Sequence, residues 1–348
     1  MKQLAKVSLH DHLDGSLRLE TVLELSEAPP ADTVEGLREW INTRSLSGSL
    51  VEYLESFSLT GAIMQTPENL ERVAREYVLD LAADGVVYAE VRWAPELSHA
   101  LPPAVAVEAI SAGLRAGQSQ TGIMVRQILI GMRQGHRVAE IAQLALDLRE
   151  TDVVAFDLAG PEAGYPPSLF APTLDRLQSE WMPVTIHAGE ADGLASIASA
   201  LVDGHALRLG HGVRLVDDVT VVDGQPVLGR MGEWVRDREI VLEASPTSNF
   251  HTAAFVGESF SDHPFALLDR LGLRVTVNTD NRLMSDTTLS AELEKLTEAF
   301  GFTLADHERF QLNAAAGAFL PQPEREILQQ RISASFATAG LASGHVPH

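Results

Sequence analysis

Cysteine is absent from this 348-residue chain. Disulfides, thiolate nucleophiles and cysteine-ligated metal centres are therefore excluded. We expect a cytoplasmic location, although a protein without cysteine would also be unharmed outside the cell. Hydrophobic residues make up 45% of the chain and charged residues 21%, which is an ordinary globular composition with enough apolar material for a sizeable core.

Basic residues and long apolar runs are also scarce. The chain has 26 Lys and Arg against 48 Asp and Glu, a formal net charge of −22. A surface of this sign repels phosphate backbones and anionic membranes, so we expect neither nucleic acid nor a membrane as a partner. No stretch approaches the roughly 20 apolar residues that cross a bilayer, and the opening MKQLAKVSLH lacks the apolar run of a secretory signal.

Eight short runs rich in β-branched and apolar residues recur along the chain. The predicted strands are 7–12, 86–95, 123–132, 153–160, 183–190, 207–212, 240–249 and 274–280. Amphipathic helices are predicted between them, for example over 68–85 and over 138–152, where one face collects Ile141, Leu144, Ala145 and Leu148. Continuously apolar strands that alternate with such helices indicate a parallel sheet, and eight units predict an α/β fold of the (β/α)8 TIM-barrel type.

The alternation is interrupted after the first strand and after the sixth. Residues 13–85 carry more than one predicted helix, so we expect additional helices within one barrel domain spanning residues 1–348. One of these helices, in LVEYLESF, collects four apolar side chains on one face: Leu50, Tyr53, Leu54 and Phe57. That face either packs on the barrel or lines a pocket mouth as a cap. Residues 213–229 have an Asp-Gly turn between alternating segments, which predicts a β-hairpin.

Polar side chains gather where the predicted strands end. In KVSLHDHLDGSL, His10, His12 and Asp14 occupy every second position and so share one face of the first strand. The carboxyl ends of barrel strands form one rim, which is where active sites of this fold lie. Four further residues end later strands at the same rim: Gly160, His187, His211 and Asp280.

These residue types favour a metal site. A solitary histidine at a strand end fits a hydrogen-bonded structural role, and a His-x-His pair fits either role, but the whole set on one rim favours a cation. Imidazoles with one carboxylate and no thiolate suit Zn²⁺ or a similar divalent ion. Three histidines and one aspartate leave room for a water, whose pKa a metal lowers from about 15.7 to about 7.

Two further residues suit hydrolytic chemistry. Glu190 follows His187 by three residues in HAGE. It is either an exposed turn carboxylate or, beside a metal, a general acid that its surroundings keep protonated. His211 lies between glycines in GHG, which let backbone and substrate approach closely. It could be a fourth imidazole ligand, or a base and electrostatic partner of the attacking hydroxide.

Together these segments resemble the adenosine deaminase family of the metal-dependent amidohydrolase barrels. The matching pieces cover nearly the whole chain in the family's order: LHDHLDGSL, YAEVRWAP, DLAGPE, HAGE, GHG, SPTSN and VNTDN. The resemblance implies one zinc ion per subunit, held by His10, His12, His187 and Asp280. It also implies the zinc-dependent hydrolytic deamination of adenosine and 2′-deoxyadenosine to the inosine nucleosides and ammonia, a reaction of purine salvage.

The resemblance also implies roles around the purine. Glu190 would give a proton to N1, and His211 and Asp280 would orient and help deprotonate the water that attacks C6. The Gly160 N–H would contact N3, Asn281 would contact N7, and Asp14 would accept a hydrogen bond from the ribose 5′-hydroxyl. His12, which would also bind the metal, is the fourth expected substrate contact. Zinc deaminases with a His/Cys/Cys site are excluded by the lack of cysteine.

Position 14 bears on the substrate. Relatives that act on free adenine typically read H-x-E-G, where this chain reads HLDG. The shorter carboxylate leaves room for a sugar and therefore favours a nucleoside, and a site built around a hydroxyl partner can discriminate strongly. AMP deaminases would need basic phosphate contacts, and no basic cluster lies beside these motifs.

Three positions depart from the family pattern. Asn281 stands where the family has a second aspartate, and Arg282 follows where it has proline, while Ser245 replaces a common cysteine. An asparagine amide donates to N7 at any pH, whereas a carboxyl must be protonated to do so. The change therefore preserves purine binding but leaves a second hypothesis, a deaminase of adenine or another modified aminopurine. A third hypothesis is a non-catalytic nucleoside-binding protein. The oligomeric state stays open.

Overall fold

A parallel β-sheet lies at the centre of the computed structural model, which describes residues 1–46 and 50–342. Within these residues the sheet has eight strands: β1 (Lys6–His12), β2 (Val86–Trp93), β3 (Met124–Met132), β4 (Val153–Ala159), β5 (Val184–Ala188), β6 (Arg208–His211), β9 (Val241–Ala244) and β10 (Val275–Val277). A separate antiparallel hairpin consists of β7 (Val219–Val222) and β8 (Gln225–Leu228). The eight predicted strands and the hairpin are thus confirmed in their order. Two bounds were wrong: the strand predicted over 240–249 ends at Ala244, before a short helix that starts with proline, and a 3-10 helix, Val213–Asp218, precedes the hairpin.

The sheet closes on itself. Neighbouring strands pair in parallel in the order β1-β2-β3-β4-β5-β6-β9-β10. The two end strands meet just beyond β10, where the His12 N–H donates to the Asp280 carbonyl at 2.6 Å and the Asp280 N–H donates to the His10 carbonyl at 3.0 Å. The predicted (β/α)8 TIM barrel is therefore confirmed, and its carboxyl-terminal rim carries the polar residues singled out in the sequence.

Helices surround the barrel. Over the described ranges they are α1 (Leu19–Leu25), α2 (Val34–Ser45), α3 (Leu50–Ile63), α4 (Pro67–Ala83), α5 (Pro103–Thr121), α6 (Val138–Asp147), α7 (Ala171–Ser179), α8 (Leu194–Val202), α9 (Arg230–Asp237), α10 (Pro246–His251), α11 (Phe265–Arg270), α12 (Leu289–Phe300), α13 (Leu304–Gly317) and α14 (Gln322–Ala342). Within the same ranges, none of these helices combines the length and the apolar character needed to span a bilayer.

Local sequence sets the ends of these helices. At the start of α4 the Thr66 side chain accepts the Asn69 N–H, and Pro67 occupies the first helical position, where a missing N–H has no cost. α5 ends at Gly122, whose φ of +74° is a conformation that glycine adopts without strain.

The helices predicted over 68–85 and 138–152 are confirmed as α4 and α6. The apolar face predicted for the second is buried or half-buried against the core: Ile141, Leu144, Ala145 and Leu148.

The segment between β1 and β2 is helical, as expected. The described residues place α1, α2, α3 and α4 there. The helix predicted in LVEYLESF is part of α3, and Phe57 packs half-buried against the core. The other three positions of the predicted stripe, Leu50, Tyr53 and Leu54, lie within α3, but their side chains are outside the described part of the structure.

Charged side chains fill the barrel interior below the rim. Arg92 on β2 donates to the Asp157 carboxylate on β4 at 2.9 Å and to the Glu243 carboxylate on β9 at 2.7 Å. Arg208 on β6 lies 2.6 Å from the other oxygen of Glu243 and 2.7 Å from Glu90. All five side chains are buried, so each charge depends on its neighbours for compensation.

Replacing Arg92 with methionine removes the cation that Asp157 and Glu243 share. We expect the free energy of unfolding to fall by about 3–5 kcal/mol, because breaking a buried ion pair from one side leaves uncompensated charge. The matched control is Arg137→Met, since Arg137 pairs with Glu140 on the surface, where such pairs contribute about 0–1 kcal/mol. Equilibrium urea unfolding measures both. Equal losses in the two variants would contradict the role given to Arg92.

Candidate active site

Four side chains from distant parts of the sequence meet at the rim. β1 supplies His10 and His12, β5 supplies His187, and Asp280 follows β10. One ligand atom from each lies within 4.8 Å of the others. The parallel strands bring their carboxyl ends to one rim, which is why residues so far apart in the chain converge. This group of four is referred to below as the cation cluster.

Two carboxylates beneath the cluster orient its imidazoles. Nδ1 of His10 lies 3.0 Å from Oε2 of Glu243, and Nδ1 of His187 lies 3.1 Å from Oδ1 of Asp157. Because an ionised carboxylate can only accept, both rings hold a hydrogen on Nδ1 and turn the lone pair of Nε2 towards the cluster. Nε2 of His10 is buried and makes no hydrogen bond with any described residue.

The charges around these rings suit metal ligation. Burial, with the nearby Arg92 charge, lowers the pKa of His10 to about 4, so its ring is neutral at pH 7. Burial also holds the pKa of His12 well below its ordinary value. Burial raises the pKa of the Asp157 and Glu243 carboxyls. At Asp157 the charges of His187 and Arg92 outweigh burial and lower the pKa. At Glu243 the Arg92 charge lowers the pKa in the same way. Burial opposes a charged His187, but the Asp157 carboxylate raises the pKa of that ring. Histidine binds metal as the neutral imidazole, so cation binding would displace the second proton from His187.

Asp280 completes the cluster. Its Oδ1 lies 3.3 Å from Nε2 of both His10 and His12, and its Oδ2 accepts a hydrogen bond from the Ser248 hydroxyl at 2.6 Å. Nε2 of His12 lies 3.2 Å from Nε2 of His187. Three ring nitrogens and one carboxylate oxygen thus face one small volume, a donor set that fits a divalent cation.

A buried carboxylate shapes the loop that carries Glu190. Glu162 accepts the backbone N–H groups of Gly189, Glu190 and Ala191 at 2.8, 2.9 and 2.7 Å, and the Ser196 hydroxyl at 2.6 Å. Burial opposes ionisation of Glu162, but these donors together lower its pKa. Three successive amides held by one carboxylate fix the backbone on either side of Glu190.

The side chain of Glu190 is half-buried beside the cluster. Its Oε1 accepts the Thr252 hydroxyl at 3.1 Å, and its Oε2 lies 3.4 Å from Nε2 of His211. The sequence left Glu190 as either an exposed turn carboxylate or a group beside the metal, and the structure places it at the site. Glu190, His211 and Asp280 bring ligand atoms within 4.8 Å of one another.

His211 lies next to the cluster but is not one of its four members. Its ring centroid is 4.6 Å from that of His10 and 5.3 Å from that of His187. Its Nδ1 lies 2.9 Å from Nδ2 of Asn249, on the side away from Glu190. His211 adopts φ +65°, a left-handed conformation that costs a non-glycine residue about 1–3 kcal/mol and is typical of functional sites.

The other three predicted substrate contacts, besides His12, also lie at the rim. Burial raises the pKa of Asp14 to about 6, and its Oδ1 has no hydrogen-bond partner among the described residues. Gly160 follows β4 at φ +98°, and a side chain there would collide with Gln134. Asn281 is buried, and its Oδ1 also has no hydrogen-bond partner among the described residues. The Asn281 amide occupies the space that a side chain at position 15 would need, which Gly15 leaves open. Unpaired buried polar atoms at a rim are consistent with a ligand.

The departures from the family pattern lie next to the site. Arg282 is mostly buried behind Asn281, with Nε 2.8 Å from the Asp11 carboxylate and its guanidinium 4.7 Å above the Tyr77 ring. Asp11 projects to the opposite face of β1 from the two ligand histidines. Arg282 therefore ties the loop after β10 to β1 and α4. Ser245 is buried at the end of β9.

Five residues that support the site were not predicted from the sequence. They are Asp157, Glu162, Glu243, Ser248 and Asn249, and all are buried. A signal was present for two of them, since VVAFDLAG and IVLEASPTSN each place a carboxylate inside an apolar strand. A buried charge requires a partner, so such a residue indicates a network even when its partners cannot be named.

Known sequences resemble this chain over nearly its whole length. The family model for adenosine deaminase matches residues 5–335. A protein of Mycobacterium ulcerans named adenosine deaminase is 48% identical over 351 residues, which cover 97% of this chain and 96% of that protein.

Solved structures share the fold. A zinc-bound amidohydrolase from Burkholderia ambifaria has a TM-score of 0.83 at 25% identity, covering 98% of this chain and 93% of its own. The N6-mAMP deaminase of Arabidopsis has a TM-score of 0.80 at 26% identity, covering 96% of this chain and 98% of its own. With the family match over residues 5–335 and the cluster at the rim, the chain belongs to the adenosine deaminase family of the amidohydrolase superfamily.

Proposed function

We propose that the protein is a metal-dependent hydrolase that converts adenosine and 2′-deoxyadenosine to inosine and 2′-deoxyinosine with release of ammonia. One observation carries the proposal: a carboxyl group, Glu190, and an imidazole, His211, flank a group of three histidines and one aspartate in a chain of this family. Such a reaction belongs to purine salvage. The substrate is a small molecule, and nucleic acid is not expected as a partner of so acidic a chain.

The cation is proposed to be one zinc ion per subunit, held by His10, His12, His187 and Asp280. Imidazole nitrogens with a single carboxylate oxygen are a common zinc ligand set, and the structural relative from Burkholderia ambifaria contains bound zinc. When bound, a zinc ion lowers the pKa of water from about 15.7 to about 7, which provides a nucleophile at neutral pH. Asp157 and Glu243 fix the ring nitrogens that face it.

Glu190 is the proposed general acid. Its carboxyl gives a proton to N1 of the purine, which makes C6 electrophilic, and the Glu162 carboxylate holds the backbone that aims it. Asp280 and His211 bring ligand atoms within 4.8 Å of each other and of Glu190, so both are close enough to orient the attacking water. Attack of water forms the bond between C6 and oxygen, and the proton that the water gives up passes to the exocyclic amino nitrogen. The bond between C6 and that nitrogen then breaks, and the nitrogen leaves as ammonia.

The rest of the nucleoside is read by groups at the rim. We assign the Gly160 N–H to N3, the Asn281 amide to N7 and the Asp14 carboxylate to the ribose 5′-hydroxyl, with His12 facing the reacting edge of the base. The unpaired buried oxygens of Asp14 and Asn281 support these assignments, because each lacks a partner among the described residues.

A second candidate is a deaminase of adenine or another modified aminopurine. Asn281 favours it, since an amide at N7 both donates and accepts and so tolerates more base edges than a carboxyl does. The Arabidopsis relative is named for a methylated substrate, N6-mAMP. A non-catalytic nucleoside-binding protein is a weaker candidate, because every position expected for catalysis is filled.

Three further expectations belong to the proposal. We expect residues 1–348 to form one deaminase barrel domain, with the helices of 13–85 as a cap-like excursion. We expect the protein to act in the cytoplasm. The oligomeric state is left open.

Release of ammonia from a panel of purines tests the substrate. We expect kcat/KM to be highest for adenosine and 2′-deoxyadenosine, and much lower for adenine, N6-methyladenine and AMP. In Asp14→Glu the longer carboxyl enters the space for the sugar, so kcat/KM for adenosine should fall by about 10- to 200-fold, the effect of one extra methylene in a closed pocket. The size-matched control, Asp14→Asn, keeps that space. Fast turnover of adenine or N6-methyladenine beside negligible turnover of adenosine would contradict the assignment.

Replacing Glu190 with glutamine tests the general acid. Glutamine keeps the size of the side chain but has no carboxyl proton to give, so kcat should fall by about 10²- to 10⁴-fold. Metal content and inosine binding should stay at the wild-type level, as measured by elemental analysis and calorimetry. Asp192→Asn is the control, because it removes a carboxylate from the same loop. Wild-type turnover by the Glu190 variant would show that another group supplies the proton.

A further inference from the structure

The imidazole of His211 is held from the side away from the reacting groups. Its Nδ1 lies 2.9 Å from Nδ2 of Asn249, a buried residue of α10. An amide can bond to a ring nitrogen in two ways: its NH2 group donates to a bare nitrogen, or its oxygen accepts a ring N–H. These arrangements place the proton of a neutral ring on opposite nitrogens. The orientation of the Asn249 amide therefore decides the tautomer of His211.

A backbone group fixes that orientation. Oδ1 of Asn249 accepts the main-chain N–H of Ser245 at 3.1 Å. A main-chain N–H can only donate, so an amide turned the other way would set two N–H groups against each other. The oxygen of Asn249 consequently faces Ser245, and its NH2 group faces His211.

A second buried histidine supports the same orientation. Nδ1 of His263 accepts the main-chain N–H of Phe265 at 3.0 Å, so this nitrogen carries no hydrogen. Burial lowers the pKa of His263 to about 3, which agrees with a neutral ring. The ring proton is therefore on Nε2, which lies 3.3 Å from Oδ1 of Asn249 and donates to it.

These hydrogen bonds run in one direction. The Phe265 N–H donates to His263, His263 donates to Asn249, and Asn249 donates to Nδ1 of His211. Nδ1 of His211 is thus an acceptor, and the proton of the neutral ring is on Nε2. That nitrogen lies 3.4 Å from Oε2 of Glu190, beside the cation cluster.

We propose that Asn249 and His263 are positioning residues that hold neutral His211 in the Nε2–H tautomer, so that His211 acts on the reacting groups as a hydrogen-bond donor. The proposal rests on the function proposed above in one respect, that His211 touches the attacking water. The tautomer itself rests on the hydrogen bonds. In serine proteases the wrong histidine tautomer lowers kcat by about 10⁴-fold, which shows how much such positioning can matter.

Nitrogen NMR of the full-length protein reads the tautomer directly. Long-range ¹H–¹⁵N spectra of protein with ¹⁵N-labelled histidine rings distinguish protonated from bare ring nitrogens, and the His211→Gln and His263→Gln spectra identify the two rings by loss of their peaks. In metal-free and in zinc-loaded protein we expect both rings to have a proton on Nε2 and none on Nδ1. A protonated Nδ1 on His211 in the wild-type protein would overturn the proposal.

Asn249→Asp changes the atom that faces His211 and little else. The carboxylate still accepts the Ser245 and His263 N–H groups, but it presents an oxygen to Nδ1 of His211. We expect that nitrogen to become protonated. Either resulting form of His211 impairs catalysis. A neutral ring with its proton on Nδ1 turns the lone pair of Nε2 towards Glu190. An imidazolium favours the ionised form of Glu190, which has no proton to give.

Turnover by Asn249→Asp should therefore fall by about 10²-fold, with zinc content unchanged. The control is Asn313→Asp, which adds the same charge at a half-buried amide on α13 and should keep wild-type turnover. A bare Nδ1 on His211 with wild-type turnover in Asn249→Asp would overturn the proposal.

A matched pair at position 263 separates hydrogen bonding from packing. His263→Gln offers an oxygen to the Phe265 N–H and an N–H to Asn249, whereas His263→Leu fills similar volume and offers neither. We expect mixed His211 tautomers and the larger loss of turnover in the leucine variant. Equal behaviour of the two variants would overturn the part given to His263.

Failure of this proposal is distinguishable from failure of the proposed function, because the tautomer is read without substrate. An Nε2–H ring at His211 in a protein inactive on adenosine would uphold the positioning and overturn the substrate. A protonated Nδ1 in an active adenosine deaminase would do the reverse.

Discussion

Two buried hydrogen bonds between a carboxylate and an imidazole hold the rest of the site in place. Glu243 accepts from Nδ1 of His10 and Asp157 from Nδ1 of His187, and Arg92 lies between the two carboxylates and donates to both. Burying two carboxylates is costly, and the shared Arg92 guanidinium, the two rings and, for Glu243, the Arg208 guanidinium compensate them. The same contacts turn both Nε2 lone pairs towards one point. The charge network of the barrel interior and the cation cluster are therefore parts of one arrangement.

The closure of the barrel gives each imidazole a partner from a different strand. β1 carries His10 and His12, yet His10 is oriented from β9, and the carboxylate of the cluster comes from beyond β10. His187 on β5 is oriented from β4, and His211 on β6 from α10. Since no local segment could hold these rings by itself, the site forms only when the sheet is complete.

The sequence was informative about residue types at strand ends and uninformative about the contacts behind them. Strand patterning predicted the barrel, and the alternation in KVSLHDHLDGSL predicted two ligands on one face. It could not assign His211, because a ring between two glycines could be a ligand or a catalytic group. The sequence also could not reveal the hydrogen-bond partners of Asn249. They are the main-chain N–H of Ser245, just before α10, and the ring of His263, in the loop after α10. Strand periodicity is local, whereas these contacts depend on the register of strands distant in sequence.

The most direct test of the oriented cation cluster is the zinc affinity of the wild-type protein and of Asp157→Asn, determined by competition with a chelator. We expect one ion per chain in the wild type and an affinity about 10- to 100-fold weaker in the variant, the usual effect of removing the partner that orients a ligand histidine. A wild-type protein that binds no stoichiometric zinc, or a variant with unchanged affinity, would contradict it.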